Sequence, residues 1–296
     1  MPTSEQSLPG GLSIGPMRTG STWLYEYLRA RGDVCLPRDV KETFYFAENH
    51  DKGEAWYADH FRDYEPDRHR KIIEVSPTLF QNPDAVARVA RILGHPALLV
   101  TLRRPMDRAW SHYMHLRQHG KTTLDFDAAV RKLPAIVDSS LYAKHLTRWL
   151  DAFGPKSVHV MCYNDLKLHR ARYVRQVDLA FGLPPAPPQA VPTQKVNASS
   201  LPRNLLLARI SRRAVARLHR TGLHRLVNAG KRIGLSDLVY GRSRGAPPRQ
   251  DMRADTRRYL VERFAPDVAD LERLLDVNLD GWRERWSAPR AKSRSA

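Results

Sequence analysis

Ser13-Ile14-Gly15-Pro16-Met17-Arg18-Thr19-Gly20-Ser21-Thr22-Trp23-Leu24 reads as the end of a short strand, a tight turn and the opening of a helix. The strand is expected from Leu12 to Gly15 and the helix from Ser21 to about Ala30. A turn of this kind aims several backbone N–H groups at one point, at the positive end of a helix dipole. That makes an anion site suited to phosphate or sulfate. Arg18 adds a fixed charge with forked donors. Gly15 and Gly20 have the separation found in the G-x-x-x-x-G-K-[ST] loop, but Ser21 stands where that loop has Lys. A P-loop kinase would also want a strand-end Asp to organise Mg²⁺, and none stands there. The bland alternative is an ordinary strand-turn-helix corner.

Further along, Ala97-Leu98-Leu99-Val100-Thr101-Leu102 is a continuous apolar run of strand length. Such a run fits a parallel strand buried on both faces. It ends in Arg103-Arg104-Pro105, and a helix carrying Ser111 and His112 follows. Cofactors bind beyond the carboxyl ends of such strands. Ile72-Ile73-Glu74-Val75-Ser76-Pro77-Thr78 reads as another strand ending in a turn, and Ser157 to Tyr163 as a further buried strand. Helices are expected over Asp84–Leu93, Asp138–Phe153, Asn164–Phe181 and Asp251–Leu275.

Val40-Lys41-Glu42-Thr43-Phe44-Tyr45-Phe46 places a charged pair and three aromatics at the end of a short strand. One reading is a surface ion pair beside a buried aromatic anchor. The other puts Glu42 in a cleft walled by Phe44 and Phe46, where desolvation raises a carboxyl toward general-base range. Lys41 is then a second cation near the reacting group. His112 is the rival base, but a lone helical His is more often a packing residue.

The chain has 296 residues, 42% of them hydrophobic, enough for a sizeable core, and a net charge of +18 that calls for anionic partners. Its two cysteines, Cys35 and Cys162, have no metal-ligand spacing and read as buried thiols of a reducing compartment. No apolar run approaches the ~20 residues of a membrane span, so a cytoplasmic location is expected. Pro184-Pro185-Ala186-Pro187-Pro188 opens an extended linker. Beyond it, residues 203–249 hold 12 Lys or Arg against one acid, Asp237. This block reads as a solvated lid, an acceptor-binding surface or a contact with an anionic membrane. Residues 1–11 and 287–296 read as disordered ends.

Arg18-Thr19-Gly20-Ser21-Thr22-Trp23-Leu24 resembles the 5′-phosphosulfate-binding loop of sulfotransferases that use 3′-phosphoadenylyl sulfate (PAPS). There a basic residue, in many members Lys, precedes T/S-G-T/S-T-x-L. Lys41-Glu42-Thr43-Phe44-Tyr45-Phe46 is similar to the K-E-x-x-F-F segment of the heparan sulfate-type branch, whose Glu is the catalytic base. Glu74-Val75-Ser76-Pro77 is similar to its E-K-T-P or E-x-S-P segment, with Val75 where some members carry a catalytic Lys. Arg103 and Ser111 match L-R-[DN]-P-x-x-R-x-x-S, which gives one Arg and one Ser to the nucleotide 3′-phosphate. Arg104 replaces the usual Asp or Asn. The helix at 139–150, with Tyr142 as a further candidate near acceptor or nucleotide, is similar to S-L-Y-x-x-x-L-x-x-W. Arg242-Ser243-Arg244-Gly245 is similar to the Arg-Lys-Gly loop of the same site.

The resemblance implies an α/β fold with a P-loop-like central parallel sheet of roughly four or five strands flanked by helices. It implies one sulfotransferase domain over 12–286 with a basic helical insert at 197–249. It implies sulfuryl transfer from PAPS to an acceptor hydroxyl or amine on a glycan or small molecule, without a metal and without nucleic acid. Glu42, Arg18 and Lys41 would be catalytic. Arg18, Thr19, Gly20, Ser21, Thr22, Trp23, Arg103, Ser111 and Arg244 would bind the nucleotide. The rival functions are a P-loop small-molecule kinase and a non-catalytic basic module binding anionic polymer or membrane.

Overall fold

A computed structural model describes residues 7–192 and 252–287. In chain order it runs β1 (Gly11–Gly15), α1 (Ser21–Arg31), β2 (Val34–Cys35), α2 (Gly53–Asp59), β3 (Lys71–Val75), α3 (Pro83–Leu93) and β4 (Ala97–Leu102). It continues through α4 (Pro105–Gln118), α5 (Phe126–Lys132), α6 (Ala135–Asp138), α7 (Tyr142–Phe153), β5 (Val158–Cys162), α8 (Tyr163–Leu168) and α9 (Arg170–Phe181). Helices α10 (Ala254–Leu275) and α11 (Asp280–Ser287) close the described chain. These residues form two compact units, 7–103 with 145–192 and 104–144 with 252–287.

The first unit holds the sheet. Its five strands lie in the order β2-β3-β1-β4-β5, and every pairing is parallel. The expected parallel sheet is therefore present, at the upper end of the expected strand count. The chain leaves β1 toward β2 and leaves β4 toward β5, on opposite sides. That reversal makes a topological switch point at the carboxyl ends of β1 and β4.

Strand periodicity divides the apolar side chains between the two faces. Ile73, Val75, Leu99 and Met161 pack against Leu24, Tyr27 and Leu28 of α1 and Tyr173, Val177 and Phe181 of α9. The alternate positions Leu12, Ile14, Ile72, Leu98 and Val100 are fully or nearly fully buried too. A parallel sheet covered on both faces needs such unbroken apolar strands. The end of α1 is tied to α9 by a buried polar knot. Arg31 Nη1 pairs with Asp178 at 2.8 Å, and Tyr27 Oη donates to the same carboxylate at 2.5 Å. Arg31 Nη2 also donates to the Pro184 carbonyl at 2.9 Å.

Several boundaries differ from expectation, each for a local reason. Residues 40–46 form a loop and turn rather than a strand end. The Thr43 N–H goes to a side chain, Glu74 Oε1 at 2.7 Å, and Phe44 has a φ of 57°, so no ladder can continue there. The expected helix over 164–181 is two helices, α8 and α9, broken at His169 with φ −137° and ψ 54°. The helix expected from Asp138 begins at Tyr142, because Asp138 closes the short α6. Asn82 caps α3 by accepting from Asp84 N at 3.0 Å, and Pro83 sits at N1.

The second unit is helical among the described residues. Met106, Ala109 and Tyr113 of α4 pack with Phe126 and Val130 of α5, Ile136 of α6, and Leu260 and Phe264 of α10. Asp267 of α10 accepts the amides of Ala143 and Lys144 at 3.2 and 3.0 Å, capping the first turn of α7. The basic block 203–249, with Arg244, and the tail after residue 287 lie outside the described residues. Among the described residues no helix is long and apolar enough to cross a membrane.

Candidate active site

The loop after β1 lies against the ends of both neighbouring strands. Ser76 N donates to Ser13 O at 2.8 Å and Phe80 N to Ile14 O at 3.0 Å, which folds the β3 end over β1. From β4, Arg103 Nη1 donates to the Arg18 carbonyl at 3.1 Å. Two glycines make this closeness possible. A Cβ on Gly15 would lie 2.3 Å from Pro77 O, and the residue has a φ of +106°. A Cβ on Gly20, at φ +98°, would lie 2.9 Å from a Leu166 methyl and 3.0 Å from the Tyr163 ring.

Gly20 is also the N-cap of α1 and offers no side-chain cap, and the first turn holds no acidic residue. The amides of Ser21, Thr22 and Trp23 have no partner one turn back within the helix. They sit at the positive end of the helix dipole. Thr19 Oγ1 donates to Pro16 O at 2.7 Å and so pins the loop rather than pointing away from it. Trp23 is a core residue, stacked on Tyr27 at 5.6 Å and edge-on to Tyr173 at 5.8 Å.

Cations gather at this loop. Lys41 Nζ donates to Ser21 Oγ at 3.0 Å. Arg103 lies over the Tyr163 ring at 4.9 Å. Burial first, then the Arg103 charge, hold the Arg18 guanidinium below its ordinary value. Burial also holds the Lys41 ammonium low; Glu42 works against that, and Arg18 adds to it. Mutual repulsion among desolvated cations is relieved by a bound anion. The donor set therefore fits a phosphorylated or sulfated ligand.

Glu42 follows Lys41 directly. Its Oε1 accepts from the Thr78 hydroxyl and from Thr78 N, the latter at 3.2 Å. Burial pushes the carboxyl up to about 7, against the pull of the Thr78 hydroxyl and of Lys41, while Glu74 adds to the rise. Phe46, expected as a wall beside Glu42, is instead a core ring packed on Tyr45 and Tyr57. The segment is held from below by Glu74, which is fully buried on β3. Glu74 accepts from Thr43 N and Thr43 Oγ1 at 2.7 and 2.8 Å and from Tyr57 Oη at 2.8 Å.

The structure thus brings together Arg18, Gly20, Ser21, Lys41, Glu42 and Arg103. Val75, where resembling sequences carry Lys, is buried in the core with α1, and among the described residues it is Lys41 whose ammonium reaches the loop, at Ser21 Oγ. Ser111 lies on α4, in the second unit. His112, the rival base, is buried on the same helix, with Arg108 Nη1 3.4 Å from its Nδ1. Tyr142 is fully buried with its ring on Trp282 at 5.9 Å, which favours its packing reading. Thr78, Tyr163 and Glu74 were not singled out as site residues. Their signal is positional, since each lies in or just after a strand, β3 or β5, that flanks the switch-point pair β1 and β4. Among the described residues no three His, Cys, Asp or Glu side chains converge as a metal site.

A glycine-framed loop after the central strand, an uncapped helix start and basic strand ends define a P-loop-like α/β protein built to hold an anionic ligand. The family model described as "Sulfotransferase domain" matches residues 12–197, and the chain belongs to that family. It is 28% identical over 210 residues to a bifunctional heparan sulfate N-deacetylase/N-sulfotransferase 1 of Caenorhabditis briggsae, covering 63% of this chain and 24% of that protein. The human protein of the same name is 31% identical over 191 residues, covering 58% of this chain and 21% of that one. The chain therefore spans about a quarter of the length of these relatives. The crystal structure of a sulfotransferase from Alicyclobacillus acidocaldarius superposes with a TM-score of 0.65 at 21% identity, covering 94% of this chain and 99% of that one. That likeness speaks for the fold.

Proposed function

We propose that this protein transfers a sulfuryl group from PAPS to a hydroxyl or amine of a glycan acceptor, with Glu42 as general base. The observation that carries the reading is the meeting of Glu42, through Thr78, and Lys41, through Ser21, at one glycine-framed anion loop. Family membership supports the class of reaction. The heparan sulfate named for the relatives supports a glycan acceptor. A kinase is disfavoured by Ser21 at the position of the P-loop lysine.

In this reading the first-turn amides of α1, with Arg18 and Lys41, bind the 5′-phosphosulfate and stabilise the charge that grows on the leaving phosphate. Arg103, at the end of β4, takes the 3′-phosphate and fixes the position of the donor. Ser111 stays a candidate for the same phosphate on its sequence pattern, and Arg244 on its own short motif. Glu42 removes the acceptor proton as the acceptor attacks sulfur in line with the departing phosphate oxygen. A carboxyl whose midpoint lies near 7 is half ionised near neutrality, which suits a general base.

Calorimetry with adenosine 3′,5′-bisphosphate tests the donor assignment. Tight binding is expected, and Arg103→Ala should weaken it far more than it weakens binding of adenosine 5′-phosphate. No heat from folded protein would overturn the assignment. Glu42→Gln should keep bisphosphate affinity and lose turnover by about 10²–10⁴-fold; intact turnover would move the base elsewhere.

A further inference from the structure

We propose that Thr78 is a positioning residue for Glu42, donating two hydrogen bonds to Oε1 so that Oε2 is the oxygen that takes the acceptor's proton. The proposal rests on the reading of Glu42 as base.

The geometry is specific. Both donors of one residue, the backbone N–H and the hydroxyl, go to a single carboxylate oxygen, Oε1. Each carboxylate oxygen offers about two lone-pair sites, so Oε1 is filled. Among the described residues no hydrogen bond or ion pair reaches Oε2. A proton arriving at Glu42 therefore settles on Oε2. Thr78 is well placed to hold this geometry, because the turn that carries it is fixed on both sides. Ser76 N and Phe80 N are bonded to the β1 carbonyls of Ser13 and Ile14. The anion loop grows from β1 itself. One strand thus sets both the anion site and, through Thr78, the orientation of the base.

The step balances. The acceptor O–H or N–H bond breaks, and its proton forms a bond to Oε2. The acceptor's electron pair forms the new bond to sulfur. The S–O bond to the nucleotide breaks, and its electrons leave on the 5′-phosphate oxygen.

Thr78 also tunes the base, because hydrogen bonds to the ionised form favour it. The charged groups facing Glu42 are Lys41, which favours ionisation, and Glu74, which opposes it. Removing the Thr78 hydroxyl leaves burial and Glu74 less opposed, and the midpoint of Glu42 must rise.

The test uses Thr78→Val, which keeps the β-branched shape and the N–H, and Thr78→Ser, which restores the hydroxyl. Glutamate is labelled with ¹³C at the carboxyl, and the Glu42 signal, assigned by its loss in Glu42→Gln, is followed against pH. Thr78→Val should move the midpoint up by about one pH unit, and Thr78→Ser should return it. With PAPS and N-desulfated heparin as probe acceptor, kcat of Thr78→Val near neutrality should fall about fivefold with an acid limb displaced upward. Its affinity for adenosine 3′,5′-bisphosphate should match that of the parent. A midpoint unmoved in Thr78→Val, or moved equally in Thr78→Ser, overturns the proposal. Turnover surviving in Glu42→Gln overturns instead the base assignment beneath it, and the two failures are told apart by the NMR titration.

Discussion

At the scale of single residues, the site is set by groups kept where water would normally solvate them. Glu42 is the clearest case. Its carboxyl binds a proton more tightly in the folded protein, with a midpoint of about 7 against an ordinary 4.5. The folded state therefore holds more protons than the unfolded chain between those values. Stability from this group is fully present below about 4.5 and is lost as pH rises through about 7, by roughly 3 kcal/mol at most. Glutamine keeps the oxygen that accepts from Thr78 and cannot ionise. Glu42→Gln should then melt higher than the parent at pH 8, with the gain vanishing near pH 4. Melting curves at the two pH values check this; a gain equal at both would show that the carboxyl is not desolvated. Gly20 makes a second case. Its φ of +98° and the 2.9 Å approach of Leu166 leave no room for a methyl group. Gly20→Ala should cost about 1–3 kcal/mol and weaken bisphosphate binding together, read by thermal melting and calorimetry on one sample.

At the scale of elements, the anion loop depends on how firmly α1 is seated. Its apolar stripe Leu24, Tyr27 and Leu28 lies in the core, and its last turn is locked by the Arg31–Asp178–Tyr27 knot. Burial raises the Asp178 carboxyl and the Tyr27 phenol alike, and the Tyr27 hydroxyl, Arg31 and the Ala186 N–H work against that rise at the carboxylate. Asp178→Ala takes the acceptor from the Tyr27 hydroxyl and from Arg31 Nη1, while Asp33 still pairs Arg31 at 2.9 Å. It should destabilise by about 1–3 kcal/mol, whereas Arg29→Ala on the exposed side of the same helix should cost under about 1 kcal/mol. Urea titrations of the two variants compare them directly. Strand β4 and helix α1 were legible before folding, since an unbroken apolar run and a glycine-framed turn each carry their own local signal. The 40–46 segment was not. Its conformation is imposed by Glu74, a partner more than thirty positions along the chain, and local propensity could not reveal it.

At the scale of the whole molecule, the net charge of +18 bears on encounter with a polyanionic donor. Long-range attraction raises association rates and is screened by salt. Raising salt from about 0.1 M to about 1 M shortens the Debye length from about 10 Å to about 3 Å. The on-rate for adenosine 3′,5′-bisphosphate should fall by about tenfold or more over that range, with a smaller change in the off-rate, as stopped-flow fluorescence would show. The apolar strand run at 97–102, the anion loop and the candidacy of Glu42, Lys41, Arg18 and Arg103 were readable from sequence, because each rests on a run or motif of a few neighbouring positions. The tertiary structure alone decided that Val75 turns into the core while Lys41 reaches Ser21. It alone decided that Thr78 grips one oxygen of Glu42. Those facts depend on which strand lies beside which, and parallel pairing joins segments that the chain itself keeps far apart.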